Sequence, residues 1–345
     1  MKLLWLFSII AIVMSCSTTS KNNTPVYESV PTPPGFVDST INQLTSDGDN
    51  FYASFSTDGS RIIYLSKNKS AHKNTQIYIM NLKNPRHRRI TYNDGEDTSP
   101  RFSHDGKKII YSSTTDEQKE KNKSVHQPKS ITPNEQMAKL YEWKFLNNEI
   151  YQSDADGSHI VRLTRHTGYD AEGIITPDGK KIFYTSLSGE DLEIHSIDAQ
   201  GRAQKQITSL KGYNGQTQYL SATKQLVWSG TRSEESAQIH VADNAAKKIK
   251  QLTTKVAIHW FPSWSPDGNK IIFSSNRDDN KNFELYLMNA DGTCLKRLTY
   301  VGGTDLMPSF SPDGKKILFT SDRTGTSQIY LMDLQEPQEC SAEVL

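Results

Sequence analysis

Five copies of one phrase run through this chain: Phe55-Ser-Thr-Asp-Gly-Ser-Arg-Ile-Ile-Tyr64, Phe102-Ser-His-Asp-Gly-Lys-Lys-Ile-Ile-Tyr111, Ile175-Thr-Pro-Asp-Gly-Lys-Lys-Ile-Phe-Tyr184, Trp264-Ser-Pro-Asp-Gly-Asn-Lys-Ile-Ile-Phe273 and Phe310-Ser-Pro-Asp-Gly-Lys-Lys-Ile-Leu-Phe319. The aspartates stand at 58, 105, 178, 267 and 313, at intervals of 47, 73, 89 and 46 residues. The longest interval is two periods of about 45 with a worn copy, Leu220-Ser-Ala-Thr-Lys-Gln-Leu-Val-Trp228, between them. The interval of 73 is one period enlarged by an insertion at 117–148. Six repeats therefore fill residues 41 to 334, and repetition at this length restricts the chain to solenoids and propellers.

Each Asp-Gly reads as a tight hairpin turn, because Gly accepts φ > 0 and Asp tolerates it. A third strand follows in every repeat: Gln76-Ile-Tyr-Ile-Met80, Glu149-Ile-Tyr-Gln152, Glu193-Ile-His-Ser196, Gln238-Ile-His-Val241, Glu284-Leu-Tyr-Leu-Met288 and Gln328-Ile-Tyr-Leu-Met332. A fourth ends in a Leu-Thr or Ile-Thr pair at 44–45, 90–91, 163–164, 207–208, 252–253 and 298–299. Four strands per period make one propeller blade, and third strands apolar on both faces suit sheets sandwiched between neighbours. The sixth repeat stops after its third strand, while Ile41-Asn-Gln-Leu-Thr45 stands ahead of the first. The expectation is an all-β, six-bladed propeller over 41–345, closed by an N-terminal strand that completes blade six.

The Ser-Pro-Asp-Gly-Lys-Lys-Ile phrase, the endings Ser275-Asn-Arg277 and Ser321-Asp-Arg323, and the Tyr-Leu-Met strand followed by Asp-Gly-Thr and Leu-Thr resemble the repeats of TolB-like propellers. The resemblance spans 41 to 334 and implies the fold. It leaves function open, since such repeats occur in TolB, in prolyl-oligopeptidase-like enzymes and in oligogalacturonate lyases. TolB itself carries an α/β domain ahead of its propeller, whereas the stretch ahead of residue 41 here reads as a leader and a linker.

Residues 1–15 carry one Lys and an apolar run from Leu3 to Met14, too short to span a bilayer and of signal-peptide type. Val13-Met-Ser-Cys16 resembles the lipobox of bacterial lipoproteins, which implies acylation of Cys16; Ser17 in place of Asp implies outer-membrane sorting. Residues 16–40 are polar and Pro-rich, a tether holding the propeller in the periplasm. With 40 basic and 39 acidic side chains the chain has no electrostatic footprint for nucleic acid. Cys294 and Cys340 fall at one rim of adjacent blades in an oxidising compartment, so a Cys294–Cys340 disulfide is expected, the alternative being two free thiols.

No zinc-protease, Cys-x-x-Cys, phosphate-loop or nucleophile-elbow signature is present, so neither cofactor nor metal is expected. Five residues ahead of each inner-strand aromatic stands a mostly polar column: Asn50, Asp97, Asp170, Gly215, His259 and Asp305. At six equivalent corners these would form a polar ring at one mouth of the channel, able to hold a cation, or to be consumed by their own loops. In the insertion, Thr132-Pro-Asn-Glu135 is a capping box ahead of Met137, Leu140, Tyr141 and Phe145, which predicts a short helix over about 133–144. Lys139 and Trp143 would form its partner-binding surface. The reading is a non-catalytic envelope scaffold for a protein or cell-wall component, with a peptidoglycan-associated lipoprotein as the partner that the TolB resemblance implies. The alternative is a polysaccharide lyase using the rim histidines, His166 and His259, with a metal.

Overall fold

The computed structural model describes residues 41–116, 147–166, 168–233, 236–279, 282–300 and 302–334. The expected leader and tether, the helix predicted for the insertion with Lys139 and Trp143, Cys16 and Cys340 lie outside them. The described residues form 24 strands, β1 to β24 in chain order, arranged as six four-stranded antiparallel sheets. The innermost strands are β2 (Asp49–Phe55), β6 (Asp97–Phe102), β10 (Asp170–Ile175), β14 (Asn214–Leu220), β18 (His259–Trp264) and β22 (Asp305–Phe310). The third strands are β4 (Gln76–Asn81), β8 (Glu149–Asp154), β12 (Asp191–Asp198), β16 (Ser236–Asp243), β20 (Glu284–Asn289) and β24 (Gln328–Asp333).

The repeated phrase folds as a turn that caps itself. Gly59 N donates to Ser56 O at 2.8 Å, and Asp58 Oδ1 accepts from Ser56 Oγ at 2.6 Å and Ser60 N at 3.0 Å. Only the glycine is left-handed, with φ of 68° at Gly59 and 66 to 74° at Gly106, Gly179, Gly268 and Gly314. The aspartates do not share that conformation; their carboxylates instead bind the turn's amides and hydroxyls.

The third strands are buried on both faces, as their composition demands, and six hydrophobic clusters occupy the gaps between sheets. Ile62, Tyr64 and Tyr78 of the first sheet pack with Leu318 and Ile329 of the sixth, so the circle of contacts returns to its start. The sixth sheet takes its outer strand from the N-terminal side: β1 (Ile41–Gln43) pairs antiparallel with β24, Ile41 opposite Met332.

The fourth strands are shorter than expected, two or three residues each, and the Leu/Ile-Thr pair follows rather than ends them. Ile90 N still donates to Ile77 O at 2.8 Å, but Ile77 N donates to Thr91 Oγ1 at 2.9 Å, so a side-chain hydroxyl replaces the next ladder bond. The same Thr substitution recurs at Thr164, Thr208, Thr253, Thr299 and Thr45.

Candidate functional site in the central channel

The predicted polar ring is buried. Asn50, Asp97, His259 and Asp305 have no exposed surface and Asp170 only 2%. The sixth member is Asn214, not Gly215: Asn214 pairs with Gly230 as Asn50 pairs with Ser66 and Asp305 with Ser321. Each side chain is consumed by the corner between two blades. Asn50 Nδ2 donates to Gln328 Oε1 (2.9 Å), Ser186 Oγ to Asp170 Oδ1 (2.5 Å), and Arg323 Nη2 to Asp305 Oδ2 (2.9 Å). Asn93 Nδ2 donates to Asp97 Oδ1 (3.1 Å), and His259 Nε2 lies 3.3 Å from Lys255 O. Burial pushes the Asp97 carboxyl up to about 6 and the His259 imidazole down to about 4. The ring is thus a set of buried contacts at the blade corners, some within one sheet and some between two, with no open face for a cation or a partner.

Its histidines do not converge. His259 is enclosed, with Nδ1 making no hydrogen bond, while His166 is half-exposed against Asp170, 3.2 Å away. Among the described residues no three His, Cys, Asp or Glu side chains gather as metal ligands, so the described residues do not assemble the metal site of the lyase alternative. Cys294 is disulfide-bonded, and Cys340, the partner expected for it, lies outside the described residues.

Two further sets of residues share this architecture. The first residue of the repeated third-strand motif, Gln76, Glu149, Glu193, Gln238, Glu284 or Gln328, is buried beneath the corner Thr. Thr299 donates to Glu284 Oε2 at 2.5 Å and Thr253 to Gln238 Oε1 at 2.6 Å, with Thr164, Thr208 and Thr45 doing likewise in their blades. This second ring was legible as the Glu/Gln that opens the repeated third-strand motif.

The other set occupies the channel. Every innermost strand bulges at one position, where the register slips and a non-Gly residue takes φ of 51 to 62°: Tyr52, Ser99, Glu172, Gln216, Phe261 and Met307. A bulge re-aims side chains out of the pleat, at a backbone cost of about 1–3 kcal/mol each. Here Tyr52, Gln216, Phe261 and Met307 come to line the channel pocket, with Glu172 bonded to Gln216 behind them. Tyr52 of blade one reaches Gln216 of blade four, its hydroxyl donating to Oε1 at 2.9 Å, so side chains meet across the middle. The Glu172 carboxyl anchors them: it accepts from Gln216 N (2.7 Å), Gln216 Nε2 (2.6 Å), Thr185 Oγ1 (2.6 Å) and Tyr213 Oη (2.8 Å). Trp260 stacks on Tyr213 with ring centres 4.8 Å apart, and burial beside Glu172 holds the Tyr213 phenol well above its ordinary range.

In the half of the channel nearer the Asp-Gly turns, a pocket of about 300 Å³, counting the part open to solvent, is left between these groups. Phe261, Pro262, Met307 and Pro308 from blades five and six form an apolar wall. Arg101, Gln216 and Gln218 face it, with Tyr52 at the junction. The Arg101 guanidinium lies 5.6 Å from the Tyr52 ring centre, and Nη2 donates to Tyr52 Oη at 3.5 Å. With its amide oxygen turned to the guanidinium, Gln218 accepts from Nη2 at 2.5 Å and Nη1 at 3.3 Å.

Residues 234–341 match a family described as the TolB beta propeller domain. A TolB homolog of Chlorobium chlorochromatii is 27% identical over 136 residues, 38% of this chain and 29% of that protein. An uncharacterized protein of Agrobacterium fabrum is 24% identical over 123 residues, 34% of this chain and 42% of that protein. The matches thus span less than half the length of either curated relative. Among solved structures, a putative TolB from Agrobacterium tumefaciens superimposes with a TM-score of 0.60 at 18% identity, covering 83% of this chain and 90% of that one. TolB from Acinetobacter baumannii gives 0.57 at 19%, covering 84% and 64%. An oligogalacturonate lyase from Vibrio parahaemolyticus gives 0.54 at 15%, covering 86% and 94%. At these identities the likeness to solved structures is one of fold.

Proposed function

Because this chain belongs to the TolB-like β-propeller family, we propose that it is a non-catalytic binding scaffold of the bacterial envelope. The observation that carries the reading is the channel pocket. Its lining offers a guanidinium, two carboxamides, a phenol, the Ser309 hydroxyl and an apolar wall, with no carboxylate, imidazole or thiol beside that hydroxyl to act as its base. Such a lining suits recognition. In this reading residues 1–15 are a cleaved leader, Cys16 carries the lipid, residues 16–40 are the tether, and the propeller faces the periplasm from the outer membrane. The partner is a protein or cell-wall component, a peptidoglycan-associated lipoprotein among the candidates, with Lys139 and Trp143 of the insertion as a second contact.

Two experiments test it. Cys16→Ser should abolish fatty-acid labelling and release the protein from membranes; a variant retained in the membrane without acylation would refute the anchor. Incubation with oligogalacturonate and manganese should yield no unsaturated uronate product in the ultraviolet. Turnover that Arg101→Gln leaves intact and His166→Ala abolishes would replace the scaffold by the lyase.

A further inference from the structure

Arg101 is held in the channel wall by the ring and hydroxyl of Tyr52 and the amide of Gln218, all of them neutral. No carboxylate pairs with it among the described residues, in contrast with Arg323, Arg297 and Arg162, each of which has an acidic partner within 3 Å. A guanidinium left without a counter-ion beside an apolar wall leaves a charge that a ligand is placed to complete.

Building on the propeller as a binding module, we infer that Arg101 anchors the carboxylate of a monoanionic ligand whose apolar or aromatic body lies against Phe261, Met307, Pro262 and Pro308. The charge count sets the class. The lining contains one cation and no second Lys or Arg, which balances one negative charge and leaves a phosphate dianion half-compensated. The planar fork of Arg matches the two oxygens of a carboxylate, and Gln218 can turn its amide nitrogen to one of them once Arg101 is engaged.

The site is built rather than incidental, because a continuous hydrogen-bonded line holds its floor. Gln216 Nε2 donates to Glu172 Oε1 at 2.6 Å, Tyr52 Oη to Gln216 Oε1 at 2.9 Å, and Arg101 Nη2 to Tyr52 Oη at 3.5 Å. Four blades are coupled in this way, and Glu172 acts as a positioning residue two side chains removed from the guanidinium.

Calorimetric titration of the full chain with N-acetyl-L-phenylalanine, and with its C-terminal amide, tests the inference. The acid should bind, and the amide should bind roughly tenfold or more weakly. Arg101→Gln, its fold checked by thermal melting, should lower acid affinity by a similar factor and leave the amide unchanged, so the two losses coincide rather than add. If that variant does not fold, the comparison of acid with amide on the native chain still decides. Equal binding of acid and amide, failure of the acid to bind, or an Arg101→Gln variant that still prefers the acid would overturn the assignment. Acetylated peptides ending in a free phenylalanine carboxylate separate the two sources of such a group. Affinity rising with peptide length identifies a chain terminus, and affinity that does not rise identifies a free small acid. Loss of the carboxylate assignment would be distinguishable from loss of the scaffold reading, since the membrane anchor is measured independently at Cys16 and partner capture from the channel by crosslinking.

Discussion

At the residue scale the clearest signals come from charges that burial holds out of range. Asp97 titrates near 6 when folded and near 3.8 when unfolded, so the folded chain binds the extra proton between those values and this group's contribution falls as pH rises through the window. His259 is the opposite case, about 4 folded against 6.5 unfolded: its contribution is complete above 6.5 and is lost as pH falls toward 4. Asp97→Asn should therefore increase the stability at pH 7 relative to pH 4 by about 3 kcal/mol compared with the native chain. His259→Gln should decrease the same difference by a similar amount. Denaturant titrations of both variants at the two pH values measure this, and differences that do not move in opposite directions would contradict the burial account. Gly179 isolates a backbone effect, since a Cβ there would meet nothing within 4 Å although φ is +69°. Gly179→Ala should cost about 1 kcal/mol from conformation alone, and an unchanged denaturation midpoint would mean that the turn relaxes freely.

At the scale of elements, β1 shows what one short strand contributes. It covers the free edge of β24, Leu44 N donates to Ile329 O at 2.8 Å, and Thr45 Oγ1 both accepts from Ile329 N and donates to Gln328. We read this pairing as the device that closes the ring. Removing residues 41–46 should expose β24, lower the melting temperature by several degrees and promote association through the open edge. A variant that melts like the native chain and stays monomeric in sedimentation would show that the circle holds without it. The turns and third strands were readable in the sequence because Asp-Gly and the Ile-Tyr strands repeat with little change. The polar column was readable too, but its burial was not: identical Asp positions suit an open ring or a closed clasp equally, and only the Thr and Glu/Gln packed above them decide. The bulge was missed for the converse reason. Tyr52, Ser99, Glu172, Gln216, Phe261 and Met307 each stand two residues after the polar column yet share no common chemistry, and a backbone irregularity common to six unlike side chains leaves no compositional trace. That position, where the repeat abandons its pattern, is the one that fills the channel.

For the molecule as a whole, sixfold structure and single-copy function are separated by depth. The polar contacts at the corners recur from blade to blade, whereas the side chains at the axis differ, as the binding of one ligand there would require. Affinity in such a pocket depends on the floor being held, so Glu172→Gln, which removes a carboxyl that accepts from five donor groups including Tyr169, should weaken N-acetyl-L-phenylalanine severalfold while the chain stays folded. Unchanged affinity would confine recognition to Arg101 and the apolar wall. Above all, the propeller is held to bind an envelope component through its channel rather than along its outer wall. A photoreactive side chain placed at Ser309 on the pocket lining, and separately at Val161 on the exposed outer strand of blade two, distinguishes the two in intact cells. Binding through the channel predicts a single envelope component crosslinked from position 309 and absent from position 161; capture from 161 alone, or none from 309, would contradict it.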